Sequence, residues 1–163
     1  MKKTSALQFL AIALGVALAF CLSASAGRAG AAGSFTVTKF TDSNDGACNA
    51  DCSLREAINA ANATPEKDTI VLAAGTYQLS ITGDSEDNGA KGDLDIRAPL
   101  ELSGQGQGVT IIDANQVDRV LDVVSVSGEV RLADLTLRNG KLYTEGGGLN
   151  CSDSTLTLER VTV

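Results

Sequence analysis

The sequence predicts an all-β fold: a right-handed parallel β-helix (solenoid) of about four coils with an N-terminal capping helix. Three observations predict it. Ile70-Val71-Leu72, Leu100-Glu101-Leu102, Val130-Arg131-Leu132 and Leu156-Thr157-Leu158 share one pattern, with their leucines 30, 30 and 26 residues apart. Leu94-Asp95-Ile96, Leu121-Asp122-Val123 and Leu149-Asn150-Cys151 recur at 27 and 28 residues. Ahead of both series lies a close cysteine pair that runs into a capped amphipathic helix, Cys48 to Ala61. That order reads as a lid followed by a stack, and stacked repeats need a terminal cap.

The chain opens on a targeting pattern. Lys2 and Lys3 form a basic start, Phe9 to Leu22 is an apolar run of 14 residues, and Ala24-Ser25-Ala26 is a small-x-small cleavage signal. Fourteen residues of helix rise roughly 21 Å, short of the ~30 Å hydrocarbon core. Residues 1–26 therefore read as a cleaved signal peptide, with cleavage as late as residue 32 also open. Phe20 before Cys21 argues against lipidation. Removing the leader takes away two lysines and no acid, so net charge moves from −7 to −9. An acidic surface disfavours nucleic acid and anionic membranes. No other segment could span a bilayer. The chain has no histidine, which excludes Ser-His-Asp and Cys-His nucleophiles and every histidine-ligated metal site.

Residues 27–65 form the second unit: an N-terminal strand, a disulfide loop and the capping helix. An exported chain meets an oxidising compartment, so Cys48 and Cys52 are expected to pair. Ser53 and Glu56 form an S-x-x-E capping box. Leu54, Ala57, Ile58 and Ala61 fall on one helical stripe, and Asn62, Thr64 and Pro65 end the helix. About ten residues of helix are marginal alone in water. The stripe must lie on something apolar, and the first layer of a solenoid is such a surface. Arg55 is expected in a surface ion pair.

Residues 66–163 are the coils. Strand A is the leucine series above. Strand B follows it at Tyr77 to Ile81, Val109 to Ile112, Leu135 to Leu137 and Val161 to Val163, and strand C is the Leu-Asp-Ile series. Three short strands per 20–30-residue turn describe a parallel β-solenoid. Stacking at about 4.8 Å puts like residues over like. Parallel crossovers are right-handed. An antiparallel sandwich is the rival. The two-residue corners Ala133-Asp134 and Glu159-Arg160 favour the solenoid, because hairpins there would want Asn-Gly or Gly-X. Leu72, Leu102, Leu132 and Leu158 should then form one inward column. Cys151 should sit inward with Val123 and Ile96 as a buried small hydrophobe, or find a partner beyond this chain.

Longer insertions fall between strands B and C, at residues 82–93, 114–119 and 139–148, hence on one edge. Repeat proteins often bind ligands at such edges. Asp95, Asp122 and Asn150 should form an outward ladder there. Clustered carboxylates repel unless a cation or hydrogen bonds neutralise them. Asp84, Asp87, Asp93, Asp95 and Asp122 are thus weak calcium candidates, against the simpler reading that they cap turns. The Asp42-Ser43-Asn44-Asp45-Gly46 loop is weakly calcium-like but lacks the bidentate Glu of an EF-hand. No other cofactor is expected. For catalysis, Asp95 or Asp122 with Arg97 or Arg119 is the one constellation available, and no catalytic residue is assigned.

Cys52-Ser53-Leu54-Arg55-Glu56-Ala57-Ile58 resembles the signature of bacterial CSLREA-domain proteins. Thr36-Val37-Thr38, Asp45-Gly46-Ala47-Cys48, Asp68 to Tyr77, Gly92 to Ile96 and Gly146 to Asn150 extend the likeness over nearly all of the exported chain. The resemblance implies the N-terminal part of a right-handed parallel β-helix, similar to pectin-lyase-like folds and polymorphic outer-membrane or adhesin-type proteins. It implies a secreted or surface location and supplies no catalytic residues. Such proteins usually continue through more coils, so a C-terminally truncated stack is expected. The expected function is a non-enzymatic exported module, structural or adhesin-like. The expected partners are an unknown extracellular ligand or downstream coils of the same protein. The alternative is a fragment of a polysaccharide lyase or hydrolase.

Overall fold

Short strands with alternating aliphatic residues cannot bury their inner faces singly, and here they do so by stacking. The computed structural model describes residues 30–83, 87–141 and 147–163. The proposed signal peptide, Asp84, Glu86 and Gly146 lie outside these residues.

The chain begins with β1 (Ser34–Thr36) and α1 (Leu54–Ala61). The first coil is β2 (Asp68–Val71), β3 (Gly75–Gln78) and β4 (Leu94–Ile96). The second is β5 (Leu100–Ser103), β6 (Thr110–Asp113) and β7 (Leu121–Val124). The third is β8 (Glu129–Arg138), which turns a corner within itself, and β9 (Leu149–Ser152). A fourth begins in β10 (Thr155–Thr162). Every pairing is parallel: β1-β2-β5-β8-β10 along one face, β3-β6-β8 along the next, β4-β7-β9 along the third. The fold is a parallel β-solenoid of about three turns with the start of another.

The columns are close to those expected, with one shift. Leu102 stacks on Leu132 and Leu132 on Leu158, but the residue beneath Leu102 is Ile70, not Leu72. Leu72 is still fully buried, two positions further along. The first coil is longer because of the insertion between β3 and β4, which far exceeds the one between β6 and β7. Its A-to-B corner runs through Ala73 and Ala74, and later coils turn at Gly104, Asp134 and Arg160. Asp134 and Arg160 have φ of 55° and 52°, so both sequence-identified corners are left-handed turns. The column in β4, β7 and β9 is as expected: Leu94, Leu121, Leu149 and then Ile96, Val123, Cys151. Cys151 is nonetheless exposed, because no strand among the described residues lies above β9. Its place in the column is correct and its burial is not.

The N-terminal segment imitates a coil. β1 pairs beneath β2, Thr41 bridges to Gln78 of β3, and α1 lies against β4. A helix thus stands where a third strand would. Its stripe of Leu54, Ala57, Ile58 and Ala61 is buried against the core. The helix spans 8 residues, shorter than expected. At the next corner Phe40 stacks on Tyr77, 4.9 Å between ring centres. Only glycine fits beside it at position 75: its φ is +149°, and a Cβ would lie 2.4 Å from the Phe40 ring.

Candidate functional site

Three constellations of polar side chains lie under this architecture. The first is the seam between the cap and the first coil. A disulfide joins Cys48 to Cys52 and fixes the approach to α1. The capping box forms: the Glu56 amide donates to Ser53 Oγ at 3.2 Å and the Ser53 amide to Glu56 Oε2 at 2.7 Å. Glu56 also accepts from the Ser43 hydroxyl (2.8 Å) and the Asp45 amide (3.0 Å). Burial pushes its carboxyl up, but these amides, the hydroxyl and nearby Lys39 prevail and hold it below the ordinary range.

Arg55 corrects its expectation. It is not on the surface but 1% exposed. Its Nε and Nη2 donate to the two oxygens of Asp42 at 2.8 and 3.1 Å. Nη1 and Nη2 also reach the carbonyls of Asp93 and Gly92, each at 2.7 Å, and Nη1 that of Gly89 at 3.3 Å. Asp42 Oδ2 accepts from the amides of Ser80 and Ile81. A guanidinium carries five donors in a fixed fork, which suits this many acceptors at once. Asp42, Ser43 and Asp45 of the calcium-like loop are therefore engaged in holding α1. Sequence reasoning missed Asp42 as the partner of Arg55; the two are 13 positions apart, and no local spacing rule links them.

The second constellation is the acidic edge. Asp95 and Asp122 face away from the core on adjacent rungs, and Asn150 continues the ladder. The ladder is not solvent-facing: Asp93, Asp95 and Asp122 are all buried. The Gly89 amide, from the first insertion, donates to Asp95 Oδ2 at 2.6 Å. Asn150 Nδ2 donates to Asp122 Oδ1 at 2.8 Å, and Arg119 bonds the other Asp122 oxygen. Arg119 also lies 3.6 Å from Asp93. Of the two arginines considered, only Arg119 joins the carboxylates; Arg97 is exposed and donates to Asn88. Burial raises the Asp93 carboxyl to about 7, helped by Asp95, Asp118 and Asp122 and opposed by Arg119. Asp87, Asp95 and Asp122 each place a carboxylate oxygen within 4.8 Å of the others. Asp84 is outside the described residues. Chemically, the edge offers a carboxylic acid protonated near neutrality and several oxygen ligands, under a cover made by residues 87–93.

A third hub lies at the B-to-C corner. Asp113 accepts from the Asn115 amide, Asn139 Nδ2 and Arg138 Nε. Burial raises its carboxyl, but those donors outweigh burial and lower it. This is turn capping, the plainer role expected for the acidic side chains.

Comparison with family models, curated proteins and solved structures returned no match. Among the described residues, no helix is long and apolar enough to cross a membrane.

Proposed function

We propose that the chain is an exported, non-enzymatic β-helix module of a bacterial secreted or surface protein, of the CSLREA kind, with a structural or adhesin-like role. One observation carries this reading: Cys52, Ser53 and Glu56 are consumed in bracing the cap, and Arg55 in locking it to the first coil. A signature spent on fastening, in a segment closed by a disulfide, belongs to a scaffold built in an oxidising compartment. The leader pattern agrees with it. Further coils of the same protein are the natural partner of such a base, along with an extracellular ligand held on the insertion edge.

Expression of the full chain in a Gram-negative host tests this. The expected product is processed near residue 26, leaves the cytoplasm and has Cys48 and Cys52 oxidised. A full-length, reduced, cytoplasmic product defeats the reading.

A second reading has its own observation, the Asp93 carboxyl near 7 beside Asp95, Asp122 and Arg119. A carboxyl that can carry a proton near neutrality, set among other carboxylates, is what a polysaccharide lyase or hydrolase needs. Steady release of unsaturated product from polygalacturonate or alginate, abolished by Asp95→Ala, would establish it. Calcium at Asp87, Asp95 and Asp122 is compatible with either reading. Calorimetric titration with calcium that gives no heat and no thermal shift ends that idea.

A further inference from the structure

The chain becomes tied to the fold at one residue, Gly33. Among the described residues, none of residues 30–32 makes a backbone hydrogen bond, and Ala31 and Ala32 are exposed. Gly33 is held on both sides. Its carbonyl accepts from the Thr69 amide at 2.9 Å, and its amide donates to Asp68 Oδ1. β1 follows at once.

The acceptor of that amide lacks a countercharge. Asp68 is fully buried, and the Thr64 hydroxyl donates to its other oxygen at 2.6 Å. Both donors are neutral. Among the described residues no lysine or arginine pairs with Asp68, and adjacent Lys67 is taken by Glu129. A buried carboxylate is costly to hold without a cation. Glu66 repeats the pattern: its Oε2 is buried with no hydrogen-bond partner, and it lies against Gly30, where a Cβ would sit 2.9 Å away. The segment leading into Gly33 thus faces two acids and no cation. Position 33 itself suits a close approach, because a Cβ there would lie 3.1 Å from Asp68 Oδ1 and 3.3 Å from the Phe35 ring. Gly30-Ala31-Ala32 just before it repeats the small-x-small pattern of Ala24-Ser25-Ala26.

We propose that the peptidase that removes leaders during export cuts between Ala32 and Gly33, and that the α-ammonium so formed is the countercharge of Asp68. Hydrolysis adds one water across the peptide bond: Ala32 leaves with a carboxylate, and Gly33 keeps the nitrogen as an ammonium. That nitrogen already stands at Asp68 Oδ1, so pairing requires no rearrangement of the strands. The ammonium brings a full charge and three donors where the amide brought one donor. Departure of residues 30–32 also opens Glu66 to water. The leader pattern alone puts the cut near residue 26; the buried acid moves it to Ala32. The inference rests on the export reading.

Intact mass and N-terminal sequencing of the product exported from the full chain test the position. A product that starts at Gly33 is expected. An exported, oxidised product that starts at Gly27 overturns the inference and leaves the export reading standing; a full-length cytoplasmic product sinks both. The pairing is read by acetylating the folded product near neutral pH. An exposed α-amine titrates at about 8 and is acetylated ahead of lysine. The Gly33 amine should instead react at least about tenfold more slowly in the folded protein than in urea, because the ion pair holds its proton. Asp68→Asn should remove that protection. Equal rates in the folded and unfolded wild-type protein overturn the pairing without recourse to the variant, and so does protection that survives in a folded Asp68→Asn chain.

Discussion

The covered end and the open end of this solenoid are made of the same material and behave oppositely. Leu132 and Leu158 occupy one column, yet the first is fully buried and the second 47% exposed. At the N-terminal end the same column runs through fully buried Ile70 onto half-buried Phe35 of β1, which with α1 closes it. Burial in a stack is therefore a property of the neighbouring rung, not of the residue. The cap achieves closure with a helix, whose backbone groups are satisfied internally, whereas a strand there would only pass the unpaired edge one rung further.

The largest effect expected is at Arg55. Arg55→Ala leaves Asp42 and three carbonyls without their donor in a buried seam, at a cost of about 3–5 kcal/mol. Urea denaturation followed by circular dichroism reads it, and Arg55→Lys should rescue little because an ammonium lacks the fork. A cost under about 1 kcal/mol, the worth of an exposed pair, would mean that the seam is not what fastens the cap.

Next comes the column itself. Leu132→Ala is expected to cost about 2–5 kcal/mol. Leu158→Ala, measured in dilute solution, should cost less than about 1 kcal/mol, since half-exposed side chains leave no enclosed cavity. Equal costs would show that something covers β10.

Ser53→Ala should cost about 1 kcal/mol by removing the N-cap, with Glu56→Gln milder because it keeps an acceptor. Local amide exchange in α1 is the sensitive probe. If exchange quickens only in α1, cap and stack open separately; if it quickens everywhere, they are one cooperative unit.

A pH dependence separates the seam from the acidic edge. Asp93 titrates near 7 in the fold, above its ordinary value of 3.8. The folded chain therefore holds more protons than the unfolded one between these values, and stability falls as pH rises from about 4 to about 7. Glu56 and Asp113 are held below their ordinary values, so their contribution is present above those values and lost as pH falls through the acid range. Asp93→Asn should flatten the neutral slope of the melting temperature and leave the acid limb in place. A neutral slope that survives the substitution would assign it elsewhere.

Much of the architecture was legible before any coordinates. The capping box, the helical stripe, the corners at Asp134 and Arg160 and the β4-β7-β9 register all follow from local patterns. The places where the reading slipped share a cause. Leu72 was matched to Leu102 because it is a leucine, but Ile70 fills the same inward position equally well, and aliphatic identity does not fix register. Arg55 looked like a surface residue because arginines usually are. Its acceptors come from Asp42 and from the carbonyls of Gly89, Gly92 and Asp93, and carbonyls leave no trace in side-chain patterns. Asp95 and Asp122 were correctly turned away from the core, yet the insertion that covers them could not be folded from its composition.

What the sequence determined by itself is the repeating unit: its strands, its corners and the lid that precedes it, because periodicity and capping act over a few residues. What only the tertiary structure decided is which outward-facing groups are dry. Whether a carboxylate or a guanidinium sits in water depends on chain segments that arrive from tens of residues away, and it is that desolvation which turns Arg55 into a fastener and Asp93 into an acid that titrates near neutrality.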